Sequence, residues 1–253
     1  VWYRQPVVTA WSTPGAALIA STQGLTMPEA VGAFVVCALF VIVVGPTRWC
    51  ERVMNRLPIA LAAALLAGVL SRFALDAALA TRTAPVLVIA MTLAFIAGRR
   101  WWPRYAVPVV LVIGMVLAAA QGQLQWNAVQ ITMAAPVWTT PVFTLPALMS
   151  LALPLFVVTM ASQYLPGVAA QRAAGYDTPV SPAVTSTGLT TLVLAPFGGY
   201  SIALAAITAA IGMGREAHED PAKRWVAAVA AGVFYIAVGL AGGAVVGVLQ
   251  ALP

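Results

Sequence analysis

The chain has 253 residues, of which 62% are hydrophobic and only 8% are charged, and its mean hydropathy is +0.94. Soluble domains carry about 25% charged residues, so this composition excludes a soluble globular protein and indicates an integral membrane protein made of helices. The net charge of +6 does not indicate a nucleic-acid partner, because the basic residues stand in short clusters between apolar segments, where determinants of membrane topology belong.

The first apolar segment, at about 7–23, is interrupted close to its start. Residues 7–11 are mostly β-branched or aromatic, which favours an extended strand. Ser12 or Thr13 can then cap a helix that has Pro14 in its first turn. The free N–H groups and the positive dipole end of such a helix suit an anionic group. We therefore predict a short strand followed by a half-helix.

Further segments have the composition of membrane helices, which need about 20 apolar residues to cross a bilayer. They lie at about 28–46, 58–75, 84–98, 105–121, 146–171, 180–196, 198–212 and 224–249. Residues 122–145 hold several glutamines and prolines and no Lys or Arg, so we interpret them as a partly extended outside linker. This linker separates a first half, residues 1–121, from a second half, residues 146–253.

Polar residues interrupt the segment at 146–171. Ser162, Gln163 and Tyr164 stand together there, shortly before Pro166. A glutamine at membrane depth is costly unless it finds a hydrogen-bond partner. Gln163 can join helices to one another or contact a substrate, and a simple proline kink is a third interpretation.

A second break is predicted near residue 198. Pro196, Gly198 and Gly199 interrupt the chain, and we expect an extended piece at about 196–200. Tyr200 and Ser201 would then precede a half-helix. The alternative is that proline and glycine merely kink two ordinary helices, since both are frequent in membrane helices. Two broken segments in corresponding positions of two halves point to a binding site at the bilayer midplane of a transporter.

The basic residues predict the orientation of these segments. With the N-terminus inside, eleven of the 13 Lys and Arg residues fall in inner loops, and only Arg72 and Arg82 fall outside, as the positive-inside rule requires. A cysteine introduced at Arg100 is therefore expected to react with a membrane-impermeant reagent only from the cytoplasm, and one at Gln125 only from outside. Reaction of position 100 from outside would overturn this orientation.

The spans offer no catalytic or metal-binding constellation. No charged residue or histidine lies near the centre of a span, and Glu29 lies at the outer start of a helix, where the helix dipole stabilises a carboxylate. Cys37 and Cys50 differ in membrane depth and lack metal-ligand spacing, so we expect no disulfide and no metal site. We therefore predict no enzyme activity and no cofactor. Val1 and the apolar end at Pro253 look like cuts through a longer membrane domain.

Two strings, Trp-Ser-Thr-Pro-Gly at 11–15 and Thr-Met-Ala-Ser-Gln at 159–163, resemble the benzoate membrane transport family of BenE type. The resemblance runs along essentially the whole chain and implies a proton-coupled symporter of benzoate. The family is similar in fold to nucleobase and sulfate-type anion transporters, with fourteen segments in two inverted sets of seven, a core domain and a gate domain. The chain would then be a fragment of about nine segments, the third to seventh in 1–121 and the eighth to eleventh in 146–253.

The resemblance also bears on the substrate. In the nucleobase relatives, acidic residues on the eighth segment and at the start of the tenth hold the base, and these positions fall near Ser162 and Tyr200 here. Neither place holds an acid in this chain. The difference argues against a nucleobase and fits a ligand that brings its own negative charge.

The leading hypothesis is a secondary transporter of a small aromatic carboxylate in a bacterial inner membrane, coupled to protons and working by alternating access. The carboxylate is expected between the two half-helix starts, with Trp11 and Tyr164 holding the ring. The hydroxyl groups expected to touch it are those of Ser12, Thr13, Tyr200 and Ser201. The full predicted substrate-binding set is Trp11, Ser12, Thr13, Gly15, Ser162, Gln163, Tyr164, Tyr200 and Ser201.

Two alternatives stay open: an uncoupled anion channel and a transporter of another small organic anion. An intramembrane enzyme has no support in the sequence. The expected partners are the anion, protons and the lipid bilayer, without nucleic acid, and association as a homodimer is left open.

Overall fold

The computed structural model describes residues 4–22, 24–49, 52, 71, 74–122 and 135–243, and most of them are helical. In chain order the elements are β1 (Thr9–Trp11), α1 (Thr13–Ser21), α2 (Met27–Val44), α3 (Pro85–Trp101), α4 (Ala106–Ala120), α5 (Leu145–Ala173), α6 (Val180–Leu194), β2 (Ile202–Leu204), α7 (Ala206–Met213) and α8 (Trp225–Leu240). Short 3₁₀ turns lie at Pro103–Tyr105, Ala195–Phe197 and Pro221–Lys223.

Several of these helices have the properties of membrane spans. Among the described residues, the helices long and apolar enough to cross a membrane are Met27–Val44, Leu145–Ala173, Val180–Phe197 and Pro221–Leu240. Helix α4 is shorter and also apolar. The segments predicted at 28–46, 146–171 and 180–196 agree with α2, α5 and α6 to within a few residues. The segment predicted at 58–75 lies largely outside the described residues.

The chain packs into two compact units. The first comprises 1–69 and 136–229, and the second comprises 70–135 and 230–253. Both short strands and the helices that follow them belong to the first unit, whereas α3 and α4 belong to the second. These two units are not the predicted halves 1–121 and 146–253, which were defined by their order in the sequence. The division into halves stays a prediction.

Helix α5 contains two π-helical turns, Leu148–Ala152 and Met160–Tyr164. Each turn ends two residues before a proline, which has no N–H and clashes with the carbonyl four residues earlier. In the second turn that carbonyl belongs to Ser162, whose hydroxyl donates to the Val158 carbonyl at 2.6 Å. Ser150 occupies the equivalent place in the first turn and donates one turn back at 2.7 Å. The helix therefore accommodates both prolines by widening locally.

The core of the first unit lies between α2, α5 and α6. Small residues let the helices approach closely, because a methyl group at Gly188 of α6 would lie 2.9 Å from the Ile42 side chain of α2. Larger side chains such as Leu151 and Leu155 of α5 are almost completely buried. Helix α5 is thereby packed firmly into the first unit, and the two interrupted segments, at β1 and β2, lie in the same unit.

The second break lies later in the chain than the sequence predicts. Pro196 and the glycines after it end α6, since Gly198 has φ +83° and Gly199 donates its N–H to the Leu194 carbonyl at 2.9 Å. The strand is β2, at Ile202–Leu204, and the half-helix begins at Ala206. The expected extended piece at 196–200 and the helix start directly after Ser201 are therefore wrong.

The described part of the predicted linker is Gly122 and residues 135–145, of which 135–144 are not helical and Leu145 begins α5. It lies against the ends of two helices, because Val142 donates its N–H to the Pro28 carbonyl at 3.0 Å and Thr139 donates to the Pro196 carbonyl at 2.8 Å. Glu29 adds a side-chain contact, accepting from the Thr144 hydroxyl at 3.0 Å. Residues 123–134 lie outside the described part of the chain.

Candidate functional site

The two short strands, which lie far apart in the sequence, pair with each other. β1 and β2 are antiparallel, with Thr9 opposite Leu204 and Trp11 opposite Ile202. The pairing continues beyond both strands, because Ser12 donates its N–H to the Ser201 carbonyl at 3.0 Å and Ala205 donates to the Val8 carbonyl at 2.9 Å. The extended pieces therefore lie side by side, and a helix leaves each of them.

The antiparallel direction separates the two helix starts. The N-cap of α1 is Ser12, at one end of the strand pair, and the N-cap of α7 is Ala205, opposite Val8 at the other end. Ser12 lies four positions after Val8, so the helix starts lie roughly 14 Å apart along the strands at a rise of about 3.4 Å per residue. The predicted carboxylate site between both helix starts stays a prediction, and this spacing favours a site at one of the two starts.

The two helix starts differ in the N–H groups that they offer. In α1 the Ser12 hydroxyl already accepts from the Gly15 N–H at 3.1 Å, and Pro14 has no N–H. The N–H groups in the first turn of any helix have no intrahelical acceptor. In α7 the N-cap residue Ala205 offers them no side-chain acceptor either. The start of α7 is therefore the better anion-binding end, because backbone donors and the dipole act together there.

Ser201 holds the strand pair in place. Its backbone has φ +29°, an unusual value for a residue other than glycine, and its side chain is buried. The hydroxyl lies 2.8 Å from the Thr159 Oγ1 of α5. Because Thr159 of α5 and Ser12, directly after β1, both hydrogen-bond this residue, Ser201 joins the strand pair to α5 in the observed conformation.

Side-chain hydroxyls satisfy the backbone of β2. The Ile202 N–H donates to the Thr191 Oγ1 of α6 at 2.9 Å. The Ile202 carbonyl accepts from the Tyr164 hydroxyl at 3.1 Å, and that hydroxyl lies 2.6 Å from the Thr187 Oγ1. A strand within a membrane protein needs such partners, since lipid satisfies no backbone group.

Thr191→Val is expected to lower the free energy of unfolding by about 1–3 kcal/mol, because it leaves the part-buried Ile202 N–H without this acceptor. Thermal or denaturant unfolding of the purified protein measures the change. Thr190→Val is the matched control, since Thr190 is exposed and its hydroxyl bonds only the Ser186 carbonyl of its own helix. Equal effects of the two variants would contradict the role assigned to Thr191.

Burial divides the nine predicted site residues into two groups. The buried residues, which build the frame, are Ser12, Gly15, Tyr164 and Ser201. The half-buried or exposed residues, which have surface to offer a ligand, are Trp11, Thr13, Ser162, Gln163 and Tyr200. Their roles in substrate binding stay predictions. No pattern in the sequence indicates that Tyr164 is completely buried, with its hydroxyl supporting the strand and no exposed ring face.

Aromatic rings lie at the α1 end of the strand pair. Tyr200 is half-buried and its ring centroid lies 5.9 Å from that of Phe34 in α2. Trp11 is 63% exposed, although it belongs to a paired strand. The exposed indole and the half-buried phenol give this end of the strand pair apolar surface suited to a flat ring.

Sequence reasoning missed four residues of this region: Thr159, Thr187, Thr191 and Ala205. Thr187 and Thr191 stand four residues apart and therefore share one face of a helix. This spacing could have indicated a polar face that pairs with another segment. Ala205 carries no signal at all, since alanine is a poor N-cap. Among the described residues, no group of three or more His, Cys, Asp or Glu side chains could hold a metal ion.

Irregular backbone at membrane depth is tolerated only where it is buried in protein or lines a cavity. A pair of broken helices among apolar spans is therefore typical of a membrane transport protein, in which such helices form the substrate site. The family model described as "BenE: Benzoate membrane transport protein" matches residues 1–253, and the chain belongs to this family. The resemblance noted in the sequence is thereby confirmed.

Two curated relatives are similar along the whole chain. The inner membrane protein YdcO of Escherichia coli (strain K12) is 48% identical over 254 residues, which cover 100% of this chain and 65% of that protein. The benzoate membrane transport protein of Acinetobacter baylyi is 36% identical over 252 residues, covering 99% of this chain and 64% of that protein. The chain thus spans just under two thirds of the length of each relative.

Family membership confirms several coarse predictions. The chain belongs to a membrane transport family and not to an enzyme family. The apolar helices and the names of the relatives agree with a multi-pass protein of the bacterial inner membrane. The arrangement of fourteen segments in two inverted sets of seven is not tested by these findings.

Proposed function

We propose that the protein is a secondary transporter of a small aromatic carboxylate such as benzoate, with proton symport by alternating access. The observation that carries the proposal is the antiparallel pair of β1 and β2, each leading into a short helix in a chain of the benzoate transport family. Such broken helices form the substrate sites of many secondary transporters. The proposal extends to the arrangement of inverted repeats that the resemblance implies.

The carboxylate is placed at the start of α7 in this proposal, which revises the position midway between two helix starts. The uncapped N–H groups after Ala205 supply donors, and the helix dipole supplies positive potential. The five elements β1, α1, α5, β2 and α7 contain no Asp or Glu that would repel an anion. These features favour a substrate that carries its own negative charge.

The aromatic ring is placed along the strand pair towards Trp11. Trp11 pairs with Ile202, three residues before Ala205, so the indole lies roughly 10 Å along the strand from the start of α7 at about 3.4 Å per residue. Trp11, Ser162 and Gln163 remain the proposed contacts of a benzoate bound there, and the four buried residues hold the frame. Thr13 and Tyr200 belong to the α1 end, roughly 14 Å from the start of α7 at about 3.4 Å per residue, so we propose that they contact the substrate only when it passes that end.

Proton coupling needs a group that changes its protonation state or a substrate that carries the proton. Among the described residues of the candidate spans, Glu29 is the one carboxylate, and it is bound to Thr26 and Thr144 at the start of α2. We propose that the substrate carboxylate itself or a group outside the strand pair carries the proton. A second candidate function is an uncoupled anion pathway. It is favoured by the lack of Asp and Glu in β1, β2, α1 and α7, since no carboxylate there could carry a proton.

Counterflow of labelled benzoate in liposomes tests the proposal. Proteoliposomes loaded with unlabelled benzoate should accumulate the label transiently without any ion gradient, because a carrier exchanges one substrate for another. An inward proton gradient should then raise net uptake, and a protonophore should remove that increase. Currents without counterflow would establish a channel, and counterflow that ignores the proton gradient would overturn symport while leaving the carrier.

A further inference from the structure

Arg224 is buried and binds the end of the half-helix α7. Its side chain is 9% exposed, although arginine is rarely buried without a carboxylate partner. The Nη1 donates to the Met213 carbonyl at 2.8 Å, and the Nε donates to the His218 carbonyl at 2.8 Å. The Nη2 lies 3.4 Å from the Glu219 carbonyl. The guanidinium thus ties the loop after α7 to the last residue of that helix.

The position of this charge matters because Met213 is the C-terminal residue of α7. A cation at a helix C-terminus interacts favourably with the negative dipole end, and the interaction is strongest when the cation is partly buried. α7 has 8 residues, so its two ends lie about 12 Å apart at about 1.5 Å per residue. A buried charge at that distance is screened less than an exposed one.

We propose that Arg224 is a positioning residue for substrate binding, acting through α7. It fixes the helix at its C-terminal end and adds a positive charge behind the N-terminal turn, where the substrate carboxylate is placed. In the sequence, Arg224 is only one of the eleven basic residues predicted to lie in inner loops. This inference rests on the proposed function, because it requires an anion at the start of α7.

Uptake kinetics of charge-removing variants test the inference. Arg224→Gln should raise the KM for benzoate about fivefold or more with Vmax within about twofold, because it weakens binding of the anion and not a later step. Arg224→Lys keeps the charge and part of the hydrogen bonding and should give a smaller rise. Arg215→Gln and Lys223→Gln remove the same charge from exposed positions of the same loop and should leave KM unchanged.

Hydrogen exchange of residues 206–220 gives a readout that needs no substrate. Arg224→Gln should speed exchange in the last turn of α7 and the following loop, whereas the two exposed-charge variants should not. Unchanged exchange overturns the inference on its own, even if the wild type transports no benzoate and the proposed function fails. If the wild type transports benzoate, an unchanged KM in Arg224→Gln overturns it, and so does an equal rise in Arg215→Gln. If Arg224→Gln does not fold, the same criteria apply to Arg224→Lys.

Discussion

Ala205→Asp is expected to abolish benzoate uptake while leaving the protein folded. Aspartate is a preferred N-cap and stabilises a helix start by about 0.5–2 kcal/mol relative to alanine. Its carboxylate would accept the N–H groups at the start of α7, which are uncapped in the structure. It would also repel the substrate anion, and like charges brought together at a binding site cost several kcal/mol. The measurement is the initial uptake rate at limiting and saturating benzoate, with matched protein amounts.

Ala205→Asn is the matched control because it adds the same volume and the same capping geometry without the charge. Ala205 is only 7% exposed, so both variants must fit extra atoms against Val8 and Ala170. We expect the Asn variant to keep a reduced but measurable rate. Equal rates in the Asp and Asn variants would show that no anion binds at the start of α7, and the proposed position of the carboxylate would be wrong.

Much of the helical framework is predictable from composition and spacing. Residues 28–46 were predicted as a span and α2 occupies Met27–Val44, because a long apolar run leaves a membrane protein no other way to satisfy its backbone. The first break was also predicted, since Ser12 and Pro14 are strong helix-start residues and the structure places the N-cap at Ser12. Local chemistry determined both features.

The second break was placed too early because its strongest sequence signal belongs to a different feature. Pro196 and Gly198 mark the end of α6, where a left-handed glycine closes the helix. The strand at Ile202–Leu204 runs into alanines, and Ala205 is the N-cap of α7 without any side-chain hydrogen bond. The position of this strand depends on its pairing with β1, a contact between distant parts of the chain that local propensity does not encode.

The supporting hydroxyls depend on tertiary structure in the same way. Thr159, on α5, looks like any polar residue in a helix until β2 brings Ser201 to 2.8 Å from it. Tyr164 was predicted to hold a ring, since aromatic residues often line binding sites. Its complete burial follows from the packing of α5 against α6 and β2, and its role in substrate binding stays a prediction.

Gly167→Ala is expected to reduce uptake to background and to lower the free energy of unfolding by about 1–3 kcal/mol, the usual cost of overpacking a core. A methyl group at Gly167 of α5 would lie 2.8 Å from the Leu204 Cβ and 3.2 Å from the Leu204 carbonyl oxygen. Neither atom is the end of a flexible side chain, so β2 itself must move away from α5. Leu204 directly precedes the N-cap of α7, and this shift would displace the proposed carboxylate position.

Gly212→Ala provides the matched control, because a methyl group there meets no atom within 4 Å. Alanine in place of glycine inside a helix stabilises by about 0.5–1 kcal/mol when space is free, so this variant should keep wild-type uptake and equal or higher stability. Thermal unfolding and initial uptake rates of both variants, measured on the same preparations, separate local crowding from a general effect of replacing glycine. Wild-type uptake and stability in Gly167→Ala would mean that β2 can yield at Leu204 without consequence, and the contact between α5 and β2 would then have no part in positioning α7.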